Sequence, residues 1–215
     1  NQSELDEALK NAGPNTLVVV AWEGWAHGLI ELSDEVREGA QESVAALQNM
    51  GIEVELLSGD QPARVEVIAK QLGITRFKGG VTPEQKLALI HSATQVTAMV
   101  GDGINDVAAL ARADIGIAMG SGAHAAQAAS AITILDDNPR HVAYALSLAK
   151  RTHRNILQNL GWAFGYNIIL IPVAAMGLLN PMLAGAAMAF SSVSVVVNSQ
   201  RLKWQDIRVH KGVAK

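Results

Sequence analysis

The 215 residues carry 17 Lys/Arg against 20 Asp/Glu, a formal net charge of −3, and no cysteine. That length allows one or two domains with a full hydrophobic core, and the lack of cysteine excludes disulfides, thiolate metal sites and a cysteine nucleophile from these residues. The charge is split: residues 1–149 hold 9 Lys/Arg and 19 Asp/Glu (net −10), residues 150–215 hold 8 and 1 (net +7), which implies two different environments.

The opening NQSELDEALK is polar, lacks the apolar core of a signal peptide and begins without Met, as a piece of a longer chain would. Thr16 to Trp22 (TLVVVAW) and His27 to Leu32 (HGLIEL) read as two strands of a hairpin turning at Glu23-Gly24. Ser33 or Asp34 can cap a helix over Glu35 to Asn49, which Gly51 stops. Ile52 to Leu57 is the next strand, ending on the polar tip Ser58-Gly59-Asp60. Residues 62–72 form an amphipathic helix closed by Gly73, and Pro83 opens another, with Lys86 in its first turn.

The stretch from Gln95 to Gly120, QVTAMVGDGINDVAALARADIGIAMG, organises this half of the chain. Val96 to Val100 reads as a buried parallel strand that ends on Gly101-Asp102-Gly103, before a helix that opens at Asn105-Asp106 and runs to Arg112. A strand at Asp114 to Met119, a small-residue helix near Ala123 to Ala129 and a strand at Ala131 to Leu135 follow. Strands alternating with helices predict an α/β fold with a doubly wound parallel sheet. Ser58, the loop before Lys86, and Asp102 then fall at or just beyond strand ends, the edge where such sheets bind ligands. One crevice would collect a hydroxyl, an ammonium and a carboxylate pair. Asp102 and Asp106, four apart, suit Mg²⁺, which takes one or two protein carboxylates plus water and phosphate, and the set suits phosphoryl chemistry. Plainer readings stand beside it: Asp102 as a turn residue, Asp106 as a helix start, Ser58-Gly59-Asp60 as a turn and Lys86 as a solvated lysine.

From Asn155 to Gln200, 46 residues carry no charged side chain. Ile156 to Gly177 and Met182 to Val197 are each long enough, with their flanks, to cross about 30 Å of hydrocarbon as a helix, turning at Leu178-Leu179-Asn180-Pro181. Lys150, Arg151 and Arg154 precede the first span, and Arg201, Lys203 and Arg208 follow the second. The positive-inside rule puts both basic flanks in the cytoplasm, hence residues 1–154 and 201–215, in a multi-pass protein of the cell membrane surrounded by lipid. A buried helical pair of a soluble protein is the competing reading. Within the spans, Tyr166 and Asn167 are adjacent, Pro172 loosens the helix nearby, and Met188 and Ser192 share a helical face. Thioethers favour Cu(I); equally, such polar residues knit membrane helices together.

Leu57-Ser58-Gly59-Asp60, Pro83 to Lys86, and Met99 to Asp106 continuing through Ala113 to Gly120 closely resemble the phosphorylation domain of P-type ATPases, whose core belongs to the haloacid dehalogenase superfamily. The membrane hairpin is similar to the final two helices of the heavy-metal branch, and Tyr166-Asn167 with Met188-Ala189-Phe190-Ser191-Ser192 to its copper(I) exporters. The resemblance, from about Thr16 to Leu202, implies Asp102 as the Mg²⁺ ligand with Asp106 close by, and Ser58, Gly59 and Asp60 on the phosphoryl group and hydrolytic water. It further implies Lys86 neutralising phosphate, Asn105 supporting the site, and Tyr166, Asn167, Met188 and Ser192 in copper transfer. Ser58 stands where the family usually has Thr, and Gly79-Gly80 is looser than its pattern before Pro83. The phosphorylated Asp-Lys-Thr-Gly-Thr, the nucleotide-binding insertion and the membrane Cys-Pro-Cys of such pumps are not in the sequence.

The resemblance thus implies a C-terminal part of a Cu(I)-exporting ATPase, inactive alone. Residues 1–15 would be a remnant of the nucleotide-binding insertion, 16–149 the phosphorylation domain, 150–202 two transmembrane helices and 203–215 a cytoplasmic tail. Its ligands would be Mg²⁺, ATP bound mainly by the missing domain, and Cu⁺ as cargo; its partner the missing N-terminal part of the pump, with no nucleic acid. Two other functions fit the same residues: a membrane-tethered Mg²⁺-dependent phosphatase and a non-catalytic metal-binding subunit.

Overall fold

A computed structural model of the chain describes residues 7, 16–32, 35–102, 104–120, 124–178 and 180–213. They form two compact units, one ending at Ala143 and the other beginning at Tyr144.

The first unit is mixed α/β. Strands β1 (Thr16–Trp22) and β2 (Trp25–Leu32) pair antiparallel from Thr16 opposite Leu32 to Trp22 opposite Trp25. Glu23 (φ 52°) and Gly24 (φ 82°) are both left-handed, the two-residue turn whose twist matches that of the strands. So tight a turn carries the pairing to Trp25, two residues before the expected start at His27, and the His27 ring stacks on Trp22 at 3.5 Å.

Helix α1 (Ala40–Asn49) starts later than the predicted Glu35, because Gly39, at φ 82°, interrupts the helical backbone just before it. The predicted caps Ser33 and Asp34 lie outside the described residues. Strand β3 is Glu55–Leu57, shorter than predicted, and α2 is Pro62–Leu72, ended as predicted by a left-handed Gly73. A strand that the sequence reading did not contain, β4 (Arg76–Lys78), pairs parallel with β3. Helix α3 (Pro83–His91) opens with a capping box: Thr82 Oγ1 accepts from the Gln85 N–H at 3.3 Å, and the Thr82 N–H donates to Gln85 Oε1 at 2.9 Å. Then come β5 (Ala98–Gly101), a 3₁₀ turn (Ile104–Asp106), α4 (Val107–Arg112), β6 (Ile115–Met119), α5 (His124–Ala129) and β7 (Ile132–Ile134).

The predicted alternation and parallel pairing are present. The single continuous sheet is not: among the described residues the parallel ladders fall into two sheets, β3–β4 and β5–β6–β7. The reason lies at β3 and β5, each the edge strand of its own sheet, with no ladder between them. Each sheet has its own cluster of apolar side chains. Val44, Ala69 and Ile74 pack with Leu56 and Phe77 around β3–β4. Leu110, Ala118 and Ala126 pack with Met99 and Val107 around β5–β6. At the entrance of β5, the Thr97 N–H (2.8 Å) and hydroxyl (3.2 Å) both donate to Asp114 Oδ2.

The second unit is built of two long helices. Helix α6 (Arg140–Ala175), whose first turn belongs to the first unit, has 36 residues, and α7 (Pro181–Val213) has 33. The link between them is closed by Leu178 N–H on Val173 O at 3.1 Å and by Asn180 Oδ1, which accepts from the Met182 N–H at 2.9 Å and so caps α7. Among the described residues one helix, α6, is long and apolar enough to cross a membrane, with a mean hydropathy of 1.3 over its best 18 residues. Ile168, Ile169 and Ile171 on it are each about two-thirds exposed (69%, 65% and 66%), as lipid-facing side chains would be.

Two stability measurements follow. Leu110, 1% exposed, is the largest side chain of its cluster, so Leu110→Ala is expected to lower unfolding stability by about 3 kcal/mol in denaturant titrations. The Thr97 backbone and hydroxyl donors hold the Asp114 carboxyl below the usual range. Its contribution is therefore present above the ordinary Asp value and lost as pH falls through the lower folded one. Asp114→Asn should destabilise at neutral pH, and the gap to the parent should close as pH falls through the lowered folded value.

Candidate functional site

The tip after β3 is held by its own hydrogen bonds and by the loop after β4. The Ser58 N–H donates to Lys78 O at 3.0 Å, extending the β3–β4 ladder by one bond. Its hydroxyl donates to Asp60 Oδ2 at 3.0 Å and accepts from the Asp60 N–H at 3.2 Å, so Asp60 orients it. The Gly80 N–H reaches Asp60 O at 2.7 Å and the Val81 N–H reaches Ser58 O at 3.0 Å. Gly79 sits so close to the start of α2 that an added Cβ would stand 2.5 Å from Pro62 Cα. Of the Gly79-Gly80 pair, loose by the family pattern, Gly79 is thus required by close backbone approach and Gly80 by its left-handed φ of 67°.

Val81 leads directly into Thr82, the cap of α3, so the helix that carries Lys86 starts from a residue bonded to Ser58. Lys86 Nζ lies 2.9 Å from Asp106 Oδ1, with the two side chains only 14% and 13% exposed. Asp106 folds back over the end of β5: a Cβ on Gly101 would meet Asp106 Oδ2 at 2.9 Å. Asp102 is the next residue, more exposed, and its Oδ2 meets Arg37 Nη2 at 3.2 Å. Asn105 is exposed in the 3₁₀ turn beside them, and Gly103 lies outside the described residues.

A continuous chain of contacts therefore runs from Ser58 through Val81, α3, Lys86 and Asp106 to the Gly101-Asp102 strand end. The sequence reading missed Arg37. It also reaches Asp137 Oδ1, at 3.6 Å, and no local pattern announces a partner 65 residues away. Next to Asp137, a hydrogen bond from the His141 ring holds the Asp136 carboxyl below its usual range. Among the described residues no three carboxylate or imidazole groups converge as a metal cluster. Mg²⁺ asks for fewer, one or two carboxylates with the rest water and phosphate. Asp102 and Asp106, which follow the end of β5 and are each paired with a cationic side chain, fit that donor set.

The residues predicted for metal transfer in the second unit each have a partner on their own helix. Tyr166 stacks on Trp162 with centroids 6.1 Å apart, and Asn167 Nδ2 donates to Ala163 O at 2.9 Å. Ser192 Oγ donates to Met188 O at 3.1 Å, and Met188 is 69% exposed. Among the described residues, hydrogen bonds cross between the two helices through polar side chains that the sequence reading did not single out: Asn155, Gln158 and Asn159 on α6, and Asn198 with Ser199 on α7.

Residues 3–114 match the family model of haloacid dehalogenase-like hydrolases, and a second model of the same description matches residues 84–146. The copper-exporting P-type ATPase of Staphylococcus haemolyticus is 49% identical over 195 residues, covering 88% of this chain and 24% of that protein. The probable copper-exporting P-type ATPase V of Mycobacterium tuberculosis is 46% identical over 191 residues, covering 87% of this chain and 25% of its own length. Among solved structures, a zinc-transporting PIB-type ATPase in its E2.Pi state superposes with a TM-score of 0.79 at 35% identity, over 93% of this chain and 33% of that one. The chain thus spans about a quarter of the length of the curated relatives it matches. It belongs to the haloacid dehalogenase-like hydrolase family, and what it matches in P-type ATPases is a segment of them.

Proposed function

We propose that this chain is part of an ATP-driven Cu(I) exporter, supplying the Mg²⁺- and phosphate-binding half of a phosphorylation site and part of the copper path through the membrane. The observation that carries the reading is the linkage of Ser58, Lys86 and Asp106 through α3 at the ends of two parallel strands, in a chain 49% identical to a copper-exporting ATPase.

In this reading the Ser58 hydroxyl, oriented by Asp60, and the Gly59 backbone N–H hold phosphoryl oxygens. Gly59 keeps that tip open, Asp60 helps to position the hydrolytic water, and Asn105 supports the opposite rim. Lys86 offsets phosphate charge while staying fixed by Asp106. Mg²⁺, held by Asp102 and Asp106, would neutralise charge on the transferring phosphoryl group. The acceptor carboxylate comes from the Asp-Lys-Thr-Gly-Thr segment, which these residues do not contain. The divided sheet offers it a place: a parallel strand inserted between the unpaired edges of β3 and β5 would deliver its last residues between Ser58 and Asp102. The chain alone is then inactive.

In the membrane unit, α6 and α7 are proposed as a hairpin with cytoplasmic basic flanks, and Tyr166, Asn167, Met188 and Ser192 as part of the ion path. The solved neighbour transports zinc. Copper is favoured here by the soft thioether of Met188, a donor suited to Cu(I).

Phosphorylation in trans tests the reading. When the chain is co-expressed with a segment carrying Asp-Lys-Thr-Gly-Thr and the nucleotide-binding domain, radiolabelled ATP should form a Mg²⁺-dependent, hydroxylamine-labile acyl phosphate. Lys86→Ala and Asp102→Asn should each lower its yield by about 100-fold. Mg²⁺-dependent turnover of a simple phosphate ester by the chain alone, abolished in Asp102→Ala, would instead establish a self-contained phosphatase.

A further inference from the structure

The two helices of the second unit are joined at one end by the covalent turn between Ala175 and Pro181 and at the other by a closed network of amides. Asn155 Nδ2 donates to the backbone carbonyl of Asn198 at 2.9 Å. Asn159 Nδ2 donates to Asn155 Oδ1 at 3.1 Å and to Ser199 Oγ at 3.0 Å. Asn198 Nδ2 donates back to Asn159 Oδ1 at 2.9 Å and to Gln158 Oε1 at 3.3 Å. Three side chains on one face of α6, at i, i+3 and i+4, thus meet two adjacent residues of α7.

The position of this network is as informative as its geometry. Asn155 follows Arg154 and Ser199 is two residues before Arg201, so the amides stand where the charge-free stretch begins and ends. Twenty residues separate Asn155 from Ala175 at the turn, about 30 Å at 1.5 Å per residue, which is the thickness of a bilayer's hydrocarbon core. At that edge the amides find their partners mainly in one another.

The network also sets the level of the residues beyond it. Tyr166 stands eleven residues past Asn155 on α6, and Met188 ten residues before Asn198 on α7. Along two antiparallel helices those counts bring the two residues level to within about one 1.5 Å rise. Asn167 then lies beside the same level, and Ser192 is one turn nearer the amides.

We propose that Asn155, Asn159 and Asn198 form an interhelical clamp, the second closure of the hairpin, which holds its open end together and keeps Tyr166 and Asn167 level with Met188. They are positioning residues: they act on the ion path through helix register and touch no cargo. The consequence for copper rests on the function proposed above, whereas the clamp itself does not.

Because the chain contains no cysteine, introduced cysteines can be spin-labelled in pairs in the full chain reconstituted in lipid vesicles. One pair, His153→Cys with Arg201→Cys, reports the open end; the other, Ala175→Cys with Met182→Cys, reports the turn. Both should show dipolar broadening in the parent. Asn159→Ala with Asn198→Ala should abolish it at the open end and leave it at the turn, and Asn155→Ala alone should weaken it. Cu(I) affinity, read by competition with a chromogenic chelator, should fall about tenfold in the double variant. Unchanged broadening at the open end, or its loss at both ends, would overturn the clamp. Lost broadening with unchanged Cu(I) affinity would overturn its positioning role. A parent chain that binds no Cu(I) would remove the copper path, and the label pairs would still decide the clamp.

Discussion

The ion pair between Lys86 and Asp106 is the contact on which the geometry of the first unit turns. Both side chains are mostly withdrawn from water, and a charge so placed is strongly destabilising once its partner is removed. The pair therefore fastens one side of α3 to the end of β5. The start of the same helix is fastened to the other strand tip, since Thr82 caps it and Val81 bonds Ser58. One nine-residue helix fixes the spacing between a hydroxyl tip and a carboxylate tip that belong to different sheets. Arg37 adds a second cation at the same rim, paired with Asp102 and Asp137.

What the sequence disclosed follows from the range of the interactions involved. Helix α2 and the start of α3 were legible to the residue because these ends are local chemistry: proline at the first turn of each, and after α2 a glycine that takes the left-handed conformation. The parallel strands were legible as apolar runs, but their starts shifted inward by one to three residues, because pairing rather than hydropathy decides where a strand starts. Strand β4 was missed since Arg-Phe-Lys is too short and too charged to show a period. Gly79 carried no reason in the sequence; the reason is a backbone brought against it from elsewhere. Arg37 was invisible for the same cause.

The second unit shows the same contrast. Its length, its lack of charge and its basic flanks follow from composition alone. The amides at Asn155, Asn159 and Asn198 read singly as helix-edge polar residues, and they acquire meaning when two helices bring them into one network. The single sheet expected from strand alternation divides, among the described residues, between β3 and β5.

The central claim is that the strand tips form one phosphate and metal site, and linked binding tests it most directly. Mn²⁺, used in place of Mg²⁺, can be titrated into the full chain and followed by its EPR signal, with and without inorganic phosphate. The account predicts that phosphate tightens Mn²⁺ binding, that Mn²⁺ tightens phosphate binding by the same factor, and that Asp102→Asn removes the coupling. Mn²⁺ and phosphate that bind independently of each other, or coupling untouched by Asp102→Asn, would contradict it.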